Sequence, residues 1–124
     1  MRIKADDLEQ AVRDELEQYG VEVREAVDAA VLRVARSCLA QIRRNSPRRT
    51  GDYRKGWTML TQRGLLSTVA IIYNRARWFL IHLLEFGHQK ASGGRQAGHP
   101  HIAPAAEDAD RELMSELESS LRGR

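Results

Sequence analysis

His82, His88, His99 and His101 are the set of side chains in this 124-residue chain that most resembles a group of metal ligands. His99 and His101 stand two apart in a segment that Pro100 and Pro104 hold extended, so both should point the same way. A tetrahedral zinc site needs further ligands at matching spacing, and neither paired cysteines nor a His-Glu-x-x-His run supplies them. The histidines therefore read as surface or interface residues, and no metal is expected. Cys38 is the single cysteine, which excludes an internal disulfide. It falls on an apolar helical stripe and reads as a buried structural thiol, not a nucleophile. No glycine-rich loop opens a helix to cradle phosphates, and Gly93-Gly94-Arg95 is too short a signal alone. With no catalytic set and no cofactor motif, an enzyme is not expected.

The basic residues are better organised. Arg48, Arg49, Arg54 and Lys55 interleave with Tyr53 and Trp57 in the stretch from Ser46 to Trp57, and Lys90 and Arg95 lie further on in a glycine-rich segment. Cations meet phosphates and aromatic rings stack on bases, so a nucleic-acid patch is one reading. A solvated loop whose aromatics anchor the next strand is the other. Residues 46–99 hold nine Lys and Arg against two Asp and Glu, a local charge of +7 within a total of +3. That asymmetry favours a polyanion or an acidic partner surface near the middle of the chain.

The elements that must position these residues follow from periodicity. Leu8, Val12, Leu16, Tyr19, Val23, Val27, Ala30, Val34, Cys38 and Ile42 recur in steps of three or four, which predicts one long helix over 5–45, capped by Asp6 with Glu9, with Gly20 as the point where a bend or a two-helix break is the alternative to a continuous helix. A straight helix of about 40 residues reaches roughly 60 Å, beyond the roughly 35 Å diameter of a compact domain this size. Its overhanging stripe would need another subunit or a bend at Gly20. Residues 46–57 form a basic pivot loop, because Pro47 pushes Ser46 out of helical geometry and Gly51 and Gly56 supply turns. Residues 57–73 read as a hairpin turning at Gly64 and Leu65, its second strand apolar on both faces at Val69-Ala70-Ile71-Ile72.

Asn74 can cap a helix over 75–86, apolar nearly all round and hence buried, which Gly87 ends in the left-handed conformation. Glu85 stands in its last turn, where the helix dipole disfavours an anion, so a cationic or amide partner is implied. Residues 88–103 read as a mobile loop and 104–121 as a final helix with Pro104 in its first turn. The whole is one α+β domain over 1–124: a long N-terminal helix, a small antiparallel sheet, a short buried central helix and a C-terminal helix. At this length about 65% of the unfolded surface can be buried, so the core needs no staples. Neither a signal peptide nor an apolar run of about 20 residues is present, so a soluble cytoplasmic product with no membrane contact is expected.

The order and spacing of these segments resemble the minor tail-component family of long-tailed bacteriophages, which includes head-to-tail joining, neck and tail-completion proteins. The family's proline followed by threonine-glycine falls on Pro47, Thr50 and Gly51, its leucine-glutamate-phenylalanine-glycine signature on Leu84, Glu85, Phe86 and Gly87, and the proline before its last helix on Pro104. His101 and Ala103 stand where the family often has aromatic and basic residues. The resemblance implies a virion protein made in the host cytoplasm that assembles with itself as a ring, usually a hexamer, between the connector or stopper proteins and the tail terminator or tube. Genomic DNA would pass through it without sequence recognition. On this reading Arg48, Arg49, Arg54, Lys55, Lys90 and Arg95 face the DNA channel or a neighbouring protein. A small basic DNA-binding protein is the alternative.

Overall fold

The computed structural model describes residues 5–48, 51–64 and 68–122, with side chains from residue 9 onward. It shows an α+β protein arranged along one helix. Helix α1 (Ala5–Asn45) is a single 41-residue helix. It spans about 60 Å at the α-helical rise. The helix runs through Gly20 without a break, the continuous alternative of the two that the sequence left open. No atom lies within 4 Å of where a Cβ would sit there, so nothing pushes the helix aside, and the propensity cost of one glycine is too small to interrupt it. The cap expected at Asp6 lies outside the described side chains.

The chain leaves α1 at Ser46-Pro47. Ser46 is buried; its hydroxyl donates to the Ile42 carbonyl and accepts the Trp57 indole N–H at 3.0 Å. Gly51, at φ 84°, then opens a five-residue helix α2 (Asp52–Gly56) inside what the sequence suggested was a loop. Arg49 and Thr50 lie outside the described residues. Strands β1 (Trp57–Arg63) and β2 (Thr68–Asn74) form an antiparallel hairpin with Trp57 opposite Asn74 and Arg63 opposite Thr68. Leu65 and Leu66, part of the expected turn and second strand, also fall outside the description.

After Asn74 the expected helix is shorter than 75–86. A 3-10 turn (Trp78–Leu80) leads into α3 (Ile81–Phe86). Asn74 Oδ1 accepts the amides of Ala76 and Arg77 at 3.2 and 2.8 Å, and its Nδ2 donates to the Tyr53 carbonyl at 2.7 Å, so it ties a turn to α2 and caps no helix. The central helix is not buried all round within one chain: Trp78 is 67% exposed, Phe86 60% and Phe79 55%. Apolar composition argues for burial, but among the described residues no element covers that surface.

Gly87 has positive φ as expected, yet its ψ of 174° is extended and not left-handed helical. The chain therefore passes straight from α3 into a strand. Strands β3 (Gly87–Gln89) and β4 (Arg95–Ala97) make a second antiparallel ribbon, where only a loop was expected. Gly93 and Gly94, at φ 97° and 77°, reverse it. Helix α4 (Ala103–Leu121) then runs back antiparallel to α1, joined to it by Gln41 to Asp108 at 2.9 Å and Arg33 to Glu116 at 2.7 Å.

The core lies where α1, α2, the hairpin and the start of α4 meet, at Ile42, Tyr53, Trp57 and Ala105, with Cys38, Leu39, Ile72, Leu80, Ile81, Leu84 and Ile102 packed around them. Cys38 is half-buried and donates weakly to the Ala105 carbonyl; burial and the acidic side chains of α4 raise its pKa. The far end of the hairpin meets α1 through Arg24 on the Gly64 carbonyl at 2.8 Å and Arg63 on Asp28 at 3.0 Å. N-terminal to that point every described side chain from Glu9 to Glu22 is exposed. About 18 residues of α1, roughly 27 Å, extend as an arm that this chain does not cover.

Two glycines make opposite predictions. A Cβ at Gly56 would collide with Asn74 Oδ1 and stand 3.0 Å from the Ala76 Cβ, so Gly56→Ala should cost about 1–3 kcal/mol in chemical denaturation. Gly20→Ala, in open space on the arm, should gain about 1 kcal/mol of local helix stability, read as slower amide exchange over residues 9–25.

Candidate functional site

The best-defined polar cluster is built on Glu85, which is 4% exposed. Its Oε1 accepts the backbone amides of His101 at 2.8 Å and Ile102 at 2.9 Å, and its Oε2 accepts that of Ala103 at 2.9 Å. These amides open α4, where backbone N–H groups have no partner within the helix and a negative charge is favoured. The next residue, Pro104, has no amide to satisfy. A cationic or amide partner was expected for Glu85 from its unfavourable place at the end of α3, and backbone amides take that place. Burial alone would raise its pKa, but the three amides and neighbouring His101 outweigh burial and hold it below its ordinary value.

His101 is 1% exposed, not the surface or interface histidine that the sequence suggested. Its Nδ1 lies 2.6 Å from the His99 carbonyl and 3.1 Å from Glu85 Oε1. Both are acceptors, so Nδ1 carries a proton, and Nε2 meets the Tyr53 hydroxyl at 2.6 Å. Glu85, His101 and Tyr53 thus line up in the order that activates nucleophiles in enzymes. Here the direction is reversed. Burial, and then the charge of Glu85, push the Tyr53 pKa up, which keeps the hydroxyl a donor. Trp57 closes the cluster edge-on, its ring centroid 5.5 Å from that of Tyr53. The arrangement locks α2, α3 and α4 together.

The family-motif positions gather around this lock. Pro47 and Leu84 line one cavity of about 580 Å³ with Tyr53, Leu80, Leu83 and His88. Gly51 starts the helix that carries Tyr53. Gly87 crosses Gly98 so closely that a Cβ on Gly98 would stand 2.6 Å from the Glu85 carbonyl oxygen and 2.7 Å from the Gly87 nitrogen. Among the described motif positions Phe86 and Pro104 are exposed. Thr50 is outside the described residues. Sequence reasoning missed Tyr53, His101, Asn74, Ser46 and Gly98 as members of the framework. The glycines at 87 and 98 were a usable signal, since a close crossing of two backbones calls for glycine on both sides.

The basic residues are only partly brought together. Arg54 and Lys55 line an open groove with Arg43 and Arg44. Two of these four are engaged: Arg54 donates to the carbonyls of Arg44 and Ser46 at 2.9 and 2.8 Å, and Arg43 Nε donates to the Trp57 carbonyl at 3.1 Å. Arg48 is exposed beside it, and Arg49 is outside the described residues. Lys90 and Arg95 sit on the second ribbon, with Arg95 donating to the Phe86 carbonyl at 2.7 Å. Among the described residues no cluster of His, Cys, Asp and Glu has the makings of a metal site, and no helix is long and apolar enough to cross a membrane.

What remains is bare apolar surface in three places: Val12, Leu16 and Tyr19 on the arm; Leu60, Val69, Ile71 and Tyr73 on the outer face of the hairpin; and Trp78, Phe79, Leu83 and Phe86 on the central segment. A monomer rarely exposes so much contiguous apolar surface, and such patches mark contacts with other proteins. An assembly subunit with a rigid centre and adhesive outer faces is the class this geometry defines. Residues 10–87 match the family model described as the bacteriophage HK97-gp10 tail component, and the chain belongs to this HK97-gp10-like family. It is accordingly a phage tail component, part of a virion and in contact with other virion proteins. No curated protein and no solved structure matches the chain.

Replacing Glu85 tests the lock. Glu85→Gln keeps the shape but loses the charge and one accepting oxygen, and should destabilise the fold by about 1–3 kcal/mol. Because the folded pKa of Glu85 is depressed, its contribution is present above the unfolded value near 4.3 and fades as pH falls through the folded value. Acid titration of thermal stability should therefore be shallower for the variant than for the parent. A parallel pair of curves would count against the charge.

Proposed function

We propose that this chain is a structural protein of the virion neck that assembles as a ring, sixfold by analogy with the family, and joins the DNA-filled head to the tail. The observation that carries this reading is the bare apolar surface on unlike parts of one chain, the arm of α1 and the outer faces of the hairpin and central segment. Two unlike surfaces pair head to tail, and repetition of that contact gives a ring whenever the rotation closes. In this reading 1–124 acts as one domain, performs no catalysis, and is bounded by a connector or stopper ring on one side and the tail terminator or tube on the other.

The basic groove fits the same role. Arg48, Arg49, Arg54, Lys55, Lys90 and Arg95 would face the passing DNA or an acidic surface of a neighbouring protein, while Pro47, Thr50, Gly51, Leu84, Glu85, Gly87 and Pro104 hold the frame that presents them and Phe86 stands on its exposed face. A free-standing DNA-binding protein is the weaker alternative, because it leaves the arm and the exposed aromatics without a purpose.

Electron microscopy of a lysate from a phage deleted for this gene tests the proposal. Filled heads accumulating apart from completed tails are expected. Normally joined, infectious virions would remove the neck role. In a complemented lysate, Arg48→Glu with Arg49→Glu should lower the yield of infectious particles, and an unchanged yield would remove these two residues from the channel or contact surface.

A further inference from the structure

We propose that the arm of α1 in one copy docks across the Trp78–Phe86 segment of the next copy. This rests on the reading above only in that the chain assembles with itself; it specifies which two surfaces meet. The arm offers Val12, Leu16 and Tyr19 at positions i, i+4 and i+7, a single apolar ladder on the helix, and all three are exposed. Around that ladder residues 9–25 carry six acidic side chains against Arg13 and Arg24, a net −4. The receiving segment has the opposite character. Trp78, Phe79 and Phe86 are open to solvent, Arg75 and Arg77 precede them, and Lys90 and Arg95 follow, with Arg95 held against the Phe86 carbonyl. The single acid between Arg75 and Arg95 in sequence is Glu85, which is buried and engaged by the amides of α4; Asp52 of α2 pairs with Arg77 at 3.2 Å, so the excess positive charge rests on Arg75, Lys90 and Arg95. An acidic apolar helix and a basic aromatic surface are complementary in both respects.

The other candidate landing sites fit less well. A second apolar depression lies between the hairpin and α4, lined by Val31, Ala35, Ala70, Ala106 and Leu113. Its α4 side bears Asp108, Asp110 and Glu112, whose charges are felt at Cys38 on its floor and would repel the arm. The outer face of the hairpin is apolar, but Thr58 and Gln62 give it no charge to match. Pairing of two arms with each other would set like charges side by side.

Disulfide trapping with full-length protein decides the matter. In a Cys38→Ser background, one preparation carries Leu16→Cys and the other Phe86→Cys; both positions are exposed, so neither change should disturb the fold. On mixing and mild oxidation, the Leu16–Phe86 heterotypic cross-link is expected to dominate and to weaken as salt rises, since the charges that guide it are screened. Dominance of the Leu16–Leu16 product, or no cross-link in a mixture that sediments as an oligomer, overturns the docking. Sedimentation of the parent protein keeps the two readings apart. A closed ring without the heterotypic cross-link sinks the docking and leaves the ring standing; open chains with the cross-link do the reverse; a monomer at all concentrations sinks both.

Discussion

Every α-helix opens with amides that its own backbone does not satisfy, and in this protein the opening of α4 is satisfied by one carboxylate from another helix. Glu85 ends α3 at a place where its charge is unwelcome to its own helix and welcome to the next. That exchange fixes the angle between α3 and α4. His101, held by the same carboxylate, passes the constraint to Tyr53 and so to α2, and the Tyr53 carbonyl passes it through Asn74 to the end of the hairpin. The small core around Ile42 and Trp57 is thereby surrounded by hydrogen bonds that have one satisfactory arrangement. A chain with so few fully buried large side chains gains its uniqueness from this polar framework as much as from packing.

The division of labour between the two ends of the molecule follows. Where α1, α4 and the hairpin overlap, apolar residues face inward and ion pairs such as Arg33 with Glu116 close the edges. Beyond Arg24, α1 continues alone. The outer faces remain adhesive because the interior framework does not depend on them. For a virion component this separation is useful, since a subunit can fold on its polar lock and reserve its apolar surface for neighbours.

Much of this could be read from residue order, and the failures have physical causes. The long helix followed from ten apolar positions at helical spacing, and its overhang followed from length alone. The partner of Glu85 was foreseen in kind but not in identity, because an amide sixteen residues away leaves no periodic trace. His101 was mistaken for a surface residue since a proline-flanked segment carries no face by which to judge burial. The second ribbon was missed because residues 87–97 alternate nothing; glycine conformations and a backbone crossing make it. The central segment was expected to be covered on every side. Apolar composition argued for cover, but among the described residues no element covers Trp78, Phe79 or Phe86.

The uncovered length of α1 carries one consequence for how relatives of this chain can vary. Inserting or deleting a residue in the arm turns everything beyond it by about 100°, which swings Val12 and Leu16 away from the side that Tyr19 occupies. A change of about seven residues restores the direction and shifts the tip by roughly 10 Å. Arm lengths among such proteins should therefore come in steps of two helical turns, and the reach of the arm beyond its own core should step with them.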